Sequence, residues 1–298
     1  MRNRERPQNN KAPKHKKRKY PFFVTLLLST LVLSILQFSV FLGTLFAGGE
    51  FSYIKKYAYD SISEKTENRK NYVENTLANK MPLVYEAEKD VNKITTQVLE
   101  DNNADLSALQ QDKNISKQIL HDSTDTLINL MKRGLVNDAY IVLNTGDLYS
   151  TGEGDTLATV YIRDVNITTA SAADNKNLFL EAGSSDISKE YDIMLDSEWT
   201  AHMQLTDNDD FDFYYKTFQT AEKSGKRSAY NLGYWSGFSS ISSTGRKSMR
   251  YTLPLISNDG TVYGVIGIGL MEKTILSYIP GNDLPPQTSS KTSSIAAE

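Results

Sequence analysis

The sequence predicts an α+β chain, in which a long N-terminal helix carrying a membrane anchor precedes a single antiparallel sheet of about five strands flanked by helices. Three observations predict it. Residues 21–47 run without a charge, and residues 50–102 contain no glycine and repeat apolar residues at helical spacing. Residues 247–270, KSMRYTLPLISNDGTVYGVIGIGL, set two alternating runs on either side of an Asn258-Asp259-Gly260 turn, the strongest β signal in the chain.

With 298 residues, 39% hydrophobic and 23% charged, the chain is neither disordered throughout nor a multi-span membrane protein. It contains no cysteine, which excludes a disulfide framework, a thiolate metal site and a cysteine nucleophile. The net charge of −3 hides an asymmetry. Residues 1–20 hold nine Lys or Arg against one acid, which leaves 24 basic and 35 acidic residues beyond them. The two ends face different surroundings.

The anchor comes first. Pro21 to Ala47 is long enough to cross a bilayer core of about 30 Å, and it exceeds the roughly 7–15 residues of a signal-peptide core. An uncleaved single span is therefore expected at 21–47. The positive-inside rule places the basic tail, residues 1–20, in the cytoplasm and everything after Gly49 outside the cell membrane. The tail's charge is explained by topology and anionic lipid, so no nucleic-acid partner is expected.

Phe51, Ile54, Ala58 and Ile62, then Val73 and Leu77, then Val84, Val91, Ile94 and Val98 predict a long outward helix from Glu50 to Asn102, kinked or split at Pro82. Its apolar stripe predicts a homodimer contact, although Ser63 to Asn71 interrupt it. A second helix is expected from Ile115 to Met131, capped by Gly134, which closes a helical region at 50–134. The remainder, 135–284, is then the β region. Asp138 to Asn144 reads as a buried strand that Thr145-Gly146-Asp147 turns into a short one, Leu148 to Ser150, and Leu157 to Val165 reads as a third. Asn166 to Lys176 is loop-like, and Leu178 to Ala182 is ambiguous. Asp196 to Trp199 and Asp212 to Glu222 read as helix starts with Asp as cap, and Leu232 to Phe238 leads into the final hairpin. In that hairpin Met249, Tyr251, Leu253 and Leu255 share one face. Gly267 and Gly269 lie on the other, leaving a strip that a helix backbone or a ligand could approach, and Pro254 belongs at an edge or a bulge. Residues 285–298 are rich in Pro, Ser and Thr and are expected to be disordered.

Catalysis has no visible home in the chain. His15, His121 and His202 lack partners at ligand spacing, so no metal site is expected. The acidic run Asp207 to Asp212 lacks the Gly and Glu that a calcium loop needs at its sixth and twelfth positions. There is no phosphate loop and no nucleophile elbow, and no cofactor is expected. What stands out is aromatic. Both tryptophans and eight Tyr or Phe fall between Trp199 and Phe238, and flat apolar walls with polar edges suit a pocket for a small polar ligand as well as they suit a core. Tyr234, Trp235 and Tyr251 are the better pocket candidates. Arg163, Asp164 and Arg250 lie in or beside strands, where a charge must face water, a partner or a ligand.

In its order of parts the chain resembles the double-Cache extracellular sensors of bacterial receptors, PAS-like domains of the kind found on Gram-positive diguanylate cyclases and histidine kinases. The resemblance rests on the anchor and outward helix, then Asn137 to Leu143, the segment Val160-Tyr161-Ile162-Arg163-Asp164-Val165, Phe213-Tyr214-Tyr215-Lys216, Leu232-Gly233-Tyr234-Trp235-Ser236, and Tyr251 to Leu255 followed by Gly264 to Ile268. It covers roughly residues 20–284. It implies a ligand in the PAS-like module, walled by Tyr140, Trp199, Tyr214, Tyr234, Trp235 and Tyr251, with Arg163 and Asp164 as further contacts. The amino-acid-binding subgroup has a Y-x-x-x-x-R-x-W-Y pattern; Tyr230 to Tyr234-Trp235 lacks its Arg and reverses its aromatic pair. The family's second module, second span and output domain do not follow, so either a truncated receptor or a sensor that reports through a partner is expected. The function read from the sequence is a membrane-anchored, non-enzymatic sensor of a small polar ligand; a surface protein-docking domain is the alternative.

Overall fold

The computed structural model describes residues 22–47, 50–150, 152, 154–167, 174–206, 209–241 and 246–278. The basic tail and the residues from 279 on, with the expectations made for them, lie outside the described residues. The chain divides into two compact units, 1–67 and 68–298.

The first unit holds helix α1, Phe22–Ala47, whose apolar side chains are exposed on every side. A helix of 26 residues is about 39 Å long, enough to cross the hydrocarbon core of a bilayer. Its all-round apolar surface suits lipid better than water. Helix α2, Glu50–Ala78, follows, and Met81–Asp101 forms α3. Pro82 divides these two as expected. It sits in the first turn of α3, where its missing N–H leaves no helical acceptor unpaired.

The second unit is a seven-stranded sheet with helices on both faces. Helix α3 buries Val84, Ala87, Val91 and Val98 along one stripe. Residues expected to form one helix form two, α4 (Lys113–Asp122) and α5 (Thr124–Gly134), joined at Ser123. The Asp112 carboxylate caps α4, accepting from the Asn114 amide at 2.8 Å. Gly134 closes α5, and Leu135, at φ 47°, takes the left-handed turn beyond it.

The strands are β1 (Asp138–Leu143), β2 (Asp155–Leu157), β3 (Thr159–Asp164), β4 (Leu178–Ala182), β5 (Met194–Thr200), β6 (Met203–Leu205), β7 (Tyr234–Ser239), β8 (Ser248–Ile256) and β9 (Val262–Met271). Short helix α6 spans Ser185–Glu190, α7 spans Asp212–Ser224 and α8 spans Glu272–Ser277. The main sheet runs β5-β4-β3-β1-β9-β8-β7, antiparallel except where β5 joins β4, and β2 pairs with β6 in a separate ribbon.

Seven strands replace the expected five in the main sheet, and three local readings change. Leu148 to Ser150 is not a strand: Gly146–Tyr149 forms a 3-10 turn that drives the Tyr149 ring into the core, where its hydroxyl meets Ser116 at 2.7 Å. Asp196 to Trp199 does not start a helix either. That segment is β5, held by parallel pairing to β4, and the Asp196 carboxylate is engaged by the Glu198 amide and by Arg246 at 3.2 Å. Asp212 does open α7 but pairs with Lys216 one turn on instead of capping. Pro254 lies where β8 has run past the end of β7, a local edge that needs no N–H from it.

Candidate functional site

The two faces of the sheet differ in chemistry because alternate residues of each strand differ. Ile141, Ile162, Leu253, Ile266 and Ile268 point to the face covered by α3, α4 and α5 and join one large apolar core. The other face carries two polar rows set by strand register. The first row reads Arg163, Asp138, Gly269 and Arg250 across β3, β1, β9 and β8. The second reads Tyr161, Tyr140, Gly267, Thr252 and Tyr234, from β3 to β7.

The glycines make these rows continuous. A methyl group at Gly267 would occupy the place of the Tyr140 hydroxyl, and one at Gly269 that of the Asp138 carboxylate. Tyr140 therefore reaches over β9 to share a 2.6 Å hydrogen bond with Thr252 on β8. The strip that the sequence left open to a ligand or a helix is thus filled by side chains of β1. Tyr140 also stacks on Tyr161 at 5.3 Å, and Phe213 of α7 packs edge-on against it at 5.0 Å.

The charged row is fully buried. Arg163 Nε donates to Asp138 Oδ1 at 2.8 Å, and Arg163 Nη1 lies 2.5 Å from Glu181 Oε1. Arg250 donates to the Ser239 hydroxyl at 2.7 Å and to the Ser239 carbonyl at 3.2 Å, under the Phe213 ring. Arg163 Nη2, with the residue at 0% exposure, makes no hydrogen bond among the described residues. Burial opposes ionisation of Asp138, but Arg163 and Arg250 outweigh it and hold the carboxyl below the usual carboxylate range. Glu181 moves the other way. Burial pushes it up to about 7, partly countered by Arg163. From Glu181 the network continues to Arg246 and Asp196 at the protein surface.

There it opens on a cavity of about 280 Å³, close to the lower end of the volumes that hold small ligands. Glu181, Asp196 and Glu198 supply its carboxylates, and Met203 and Ile241 supply apolar wall. Its lining carries three carboxylates and no cation, with Arg163 and Arg246 paired to two of them from outside it, and such a concave site can hold a small molecule that carries an amino group.

The residues singled out from the sequence do not meet in one place. Tyr140, Arg163 and Tyr214 are buried on the polar face, and Tyr234 stands at its β7 end, half-exposed, with Lys216 Nζ 5.8 Å from its ring. Trp235 and Tyr251 belong to the opposite face, packed together at 5.0 Å against the large core. Trp199 lies at the β5 end, its indole N–H donating to the Gly183 carbonyl at 3.0 Å. Asp164 ends β3 on the side opposite Arg163, accepting from the Asn166 amide at 2.8 Å. Asp138, Glu181 and Asp196 join the network unannounced by the sequence; the strand register that aligns Asp138 with Arg163 is the signal that finds the first of them. Among the described residues no cluster of His, Cys, Asp or Glu is arranged to hold a metal ion.

No family model matches the chain, and no curated protein is similar to it. Solved structures are. One is a methyl-accepting chemotaxis protein X, 13% identical, with a TM-score of 0.40 over 76% of this chain and 67% of that one. Another is the extracellular domain of soHK1S-Z6, assigned as a histidine kinase, 14% identical, with a TM-score of 0.33 over 74% of this chain and 66% of that one. A third is the sensory domain of the Campylobacter jejuni chemoreceptor Tlp3, 14% identical, with a TM-score of 0.30 over 71% of this chain and 66% of that one. This chain thus spans about two thirds of the length of each. The neighbours thus include the extracellular domain of a kinase and the sensory domain of a chemoreceptor, at a level of likeness that assigns no residue a role.

Proposed function

We propose that the second unit is an extracytoplasmic sensor that binds a small polar ligand bearing an amino group, anchored in the cell membrane by α1 with the N-terminus inside. The observation that carries this reading is the acidic cavity walled by Glu181, Asp196 and Glu198, with Glu181 tied to the buried Arg163. A cation there replaces the proton that burial favours on Glu181, so binding strengthens as pH rises through about 7. The orientation rests on the nine basic residues before the span.

Binding shifts the domain between two states only by its difference in affinity for them, typically about 1–3 kcal/mol. The outgoing element is α3, which packs on β8 and β9 and takes hydrogen bonds from the Tyr263 hydroxyl at Asn92 and Thr95. The output, whether cyclase, kinase or a separate partner, is reached through the N-terminal helices. Ile54, Tyr57 and Ile62, each more than 60% exposed on α2, supply the stripe for a second copy of the chain. Light scattering on the full chain in detergent, before and after Ile54→Glu with Ile62→Glu, reads out that dimer; an unchanged mass removes it.

The test of the ligand is a thermal-shift screen of the full chain in detergent against amines, amino acids, organic acids and sugars. A ligand at 100 times its Kd adds about 2.7 kcal/mol. Amine-bearing compounds are expected to raise Tm, and Glu181→Gln to abolish the effect in a folded domain. A folded chain that no amine stabilises returns the reading to protein docking.

A further inference from the structure

A second cavity lies on the helix side of the sheet and has the opposite electrostatic character. It measures about 320 Å³ and sits between α4, the 3-10 turn at Gly146–Tyr149, the start of α6 and the end of β5. Leu120, Ala158 and Ile187 form its apolar floor. Three rings stand around that floor, Tyr149, His202 and Trp199.

These rings are held in place. The Tyr149 hydroxyl meets Ser116 at 2.7 Å and donates to the Lys113 carbonyl at 3.2 Å, and its ring lies 4.1 Å from that of His202. Trp199 is fixed by its hydrogen bond to Gly183. At φ +136° Gly183 adopts a backbone that a side chain would strain, so this anchor point depends on the glycine. Fixed aromatic walls lose little entropy when a flat ligand slides between them.

The charged groups at the mouth are cationic. Lys117 is neutralised by Asp186 at 2.6 Å. Lys113 is not: its ammonium lies 4.8 Å from the Tyr149 ring centroid, and among the described residues no carboxylate forms an ion pair with it. Burial, with help from Lys113, lowers the pKa of His202, which keeps that ring neutral at pH 7 and able to donate one hydrogen bond. Ser184 and Ser185 add hydroxyls to the rim.

We propose that this cavity is a binding site for a small planar carboxylate, its body lying between Tyr149 and Trp199 and its carboxylate meeting the Lys113 ammonium. It stands apart from the acidic cavity and holds whether or not that one binds an amine. Acetate offers the charge without the ring, and benzylamine offers the ring with the wrong charge. Benzoate offers both.

The experiment is a titration of the full chain in detergent with benzoate, acetate and benzylamine, followed by tryptophan fluorescence and calorimetry. The two tryptophans are Trp199, in this cavity, and Trp235, on β7. Benzoate is expected to change the fluorescence saturably, Trp199→Phe to remove that change, and Trp235→Phe to leave it. Lys113→Met, an exposed position on α4 whose folding is checked by circular dichroism, is expected to weaken calorimetric binding about tenfold. The proposal is overturned by benzylamine binding as tightly as benzoate, by an unaltered Kd in Lys113→Met, or by no saturable benzoate signal up to about 10 mM, a concentration that detects even millimolar affinity.

Discussion

The strands of the main sheet contribute alternate residues to two faces that share a backbone and little else. Under α3, α4 and α5 the face is aliphatic and buried, built from Ile141, Leu253, Ile266 and Ile268, and it holds the fold together by area removed from water. Under α7 the face is a lattice of tyrosines and paired charges, whose net contribution to stability is small because desolvation offsets attraction. A domain that needed only to fold would have little reason for the second arrangement. The difference separates a face that supplies stability from one suited to recognition, and mutations should tell them apart.

The largest effect is expected from Asp138→Ala, which leaves Arg163 and Arg250 buried without their shared carboxylate and should cost about 3–5 kcal/mol in chemical denaturation. Ile266→Ala on the apolar face should cost about 3 kcal/mol through lost burial and a cavity, with ligand affinity unchanged. If both variants alter affinity equally, the division between faces fails. Gly267→Ala should cost about 2 kcal/mol, because its methyl collides with the Tyr140 hydroxyl and the Tyr251 carbonyl. Gly237→Ala, with open space around it, is the matched control and should stay within about 0.5 kcal/mol.

A pH series sharpens the contrast on the apolar side. Glu88 on α3 is buried there, and burial pushes it up to about 7, partly countered by a hydrogen bond from Asn92. Its folded pKa lies above the unfolded value, so the stability linked to its proton is present below about 4.5 and lost as pH rises through about 7. Glu88→Gln should therefore gain about 1–2 kcal/mol over the natural chain at pH 8, and little at pH 5, by Tm. The smallest effect is expected at Lys117→Ala: its partner Asp186 and Lys117 itself are each about half exposed, and such pairs contribute under about 1 kcal/mol.

The final hairpin was legible because its apolar residues alternate over nine- and ten-residue strands around an Asn-Asp-Gly turn. The apolar helix α1 and the break at Pro82 were legible for equally local reasons. Segment β5 was not. Met194–Thr200 has the Asp-led pattern of a helix start, and what makes it a strand is parallel pairing to β4, a contact that no local pattern encodes. Tyr149 was misplaced for the same reason, since its 3-10 turn is stabilised by Ser116, 33 residues earlier. In the candidate site, Arg163 and Arg250 could be singled out as charges within strands, and Tyr140 only through the family resemblance. Their grouping could not: the odd and even positions of β8 send Arg250 and Tyr251 to opposite faces, and only the register across three strands, β8, β9 and β1, brings Arg250 toward Asp138.

The measurement that tests the central claim most directly is amide hydrogen exchange on the full chain in detergent, with and without the amine that the thermal screen selects. The polar-face reading predicts that protection grows in β4, β5 and β6 around Glu181, Asp196 and Met203, with a smaller change along α3. Protection confined to α4 and α6, or none from a ligand that raises Tm, would contradict it.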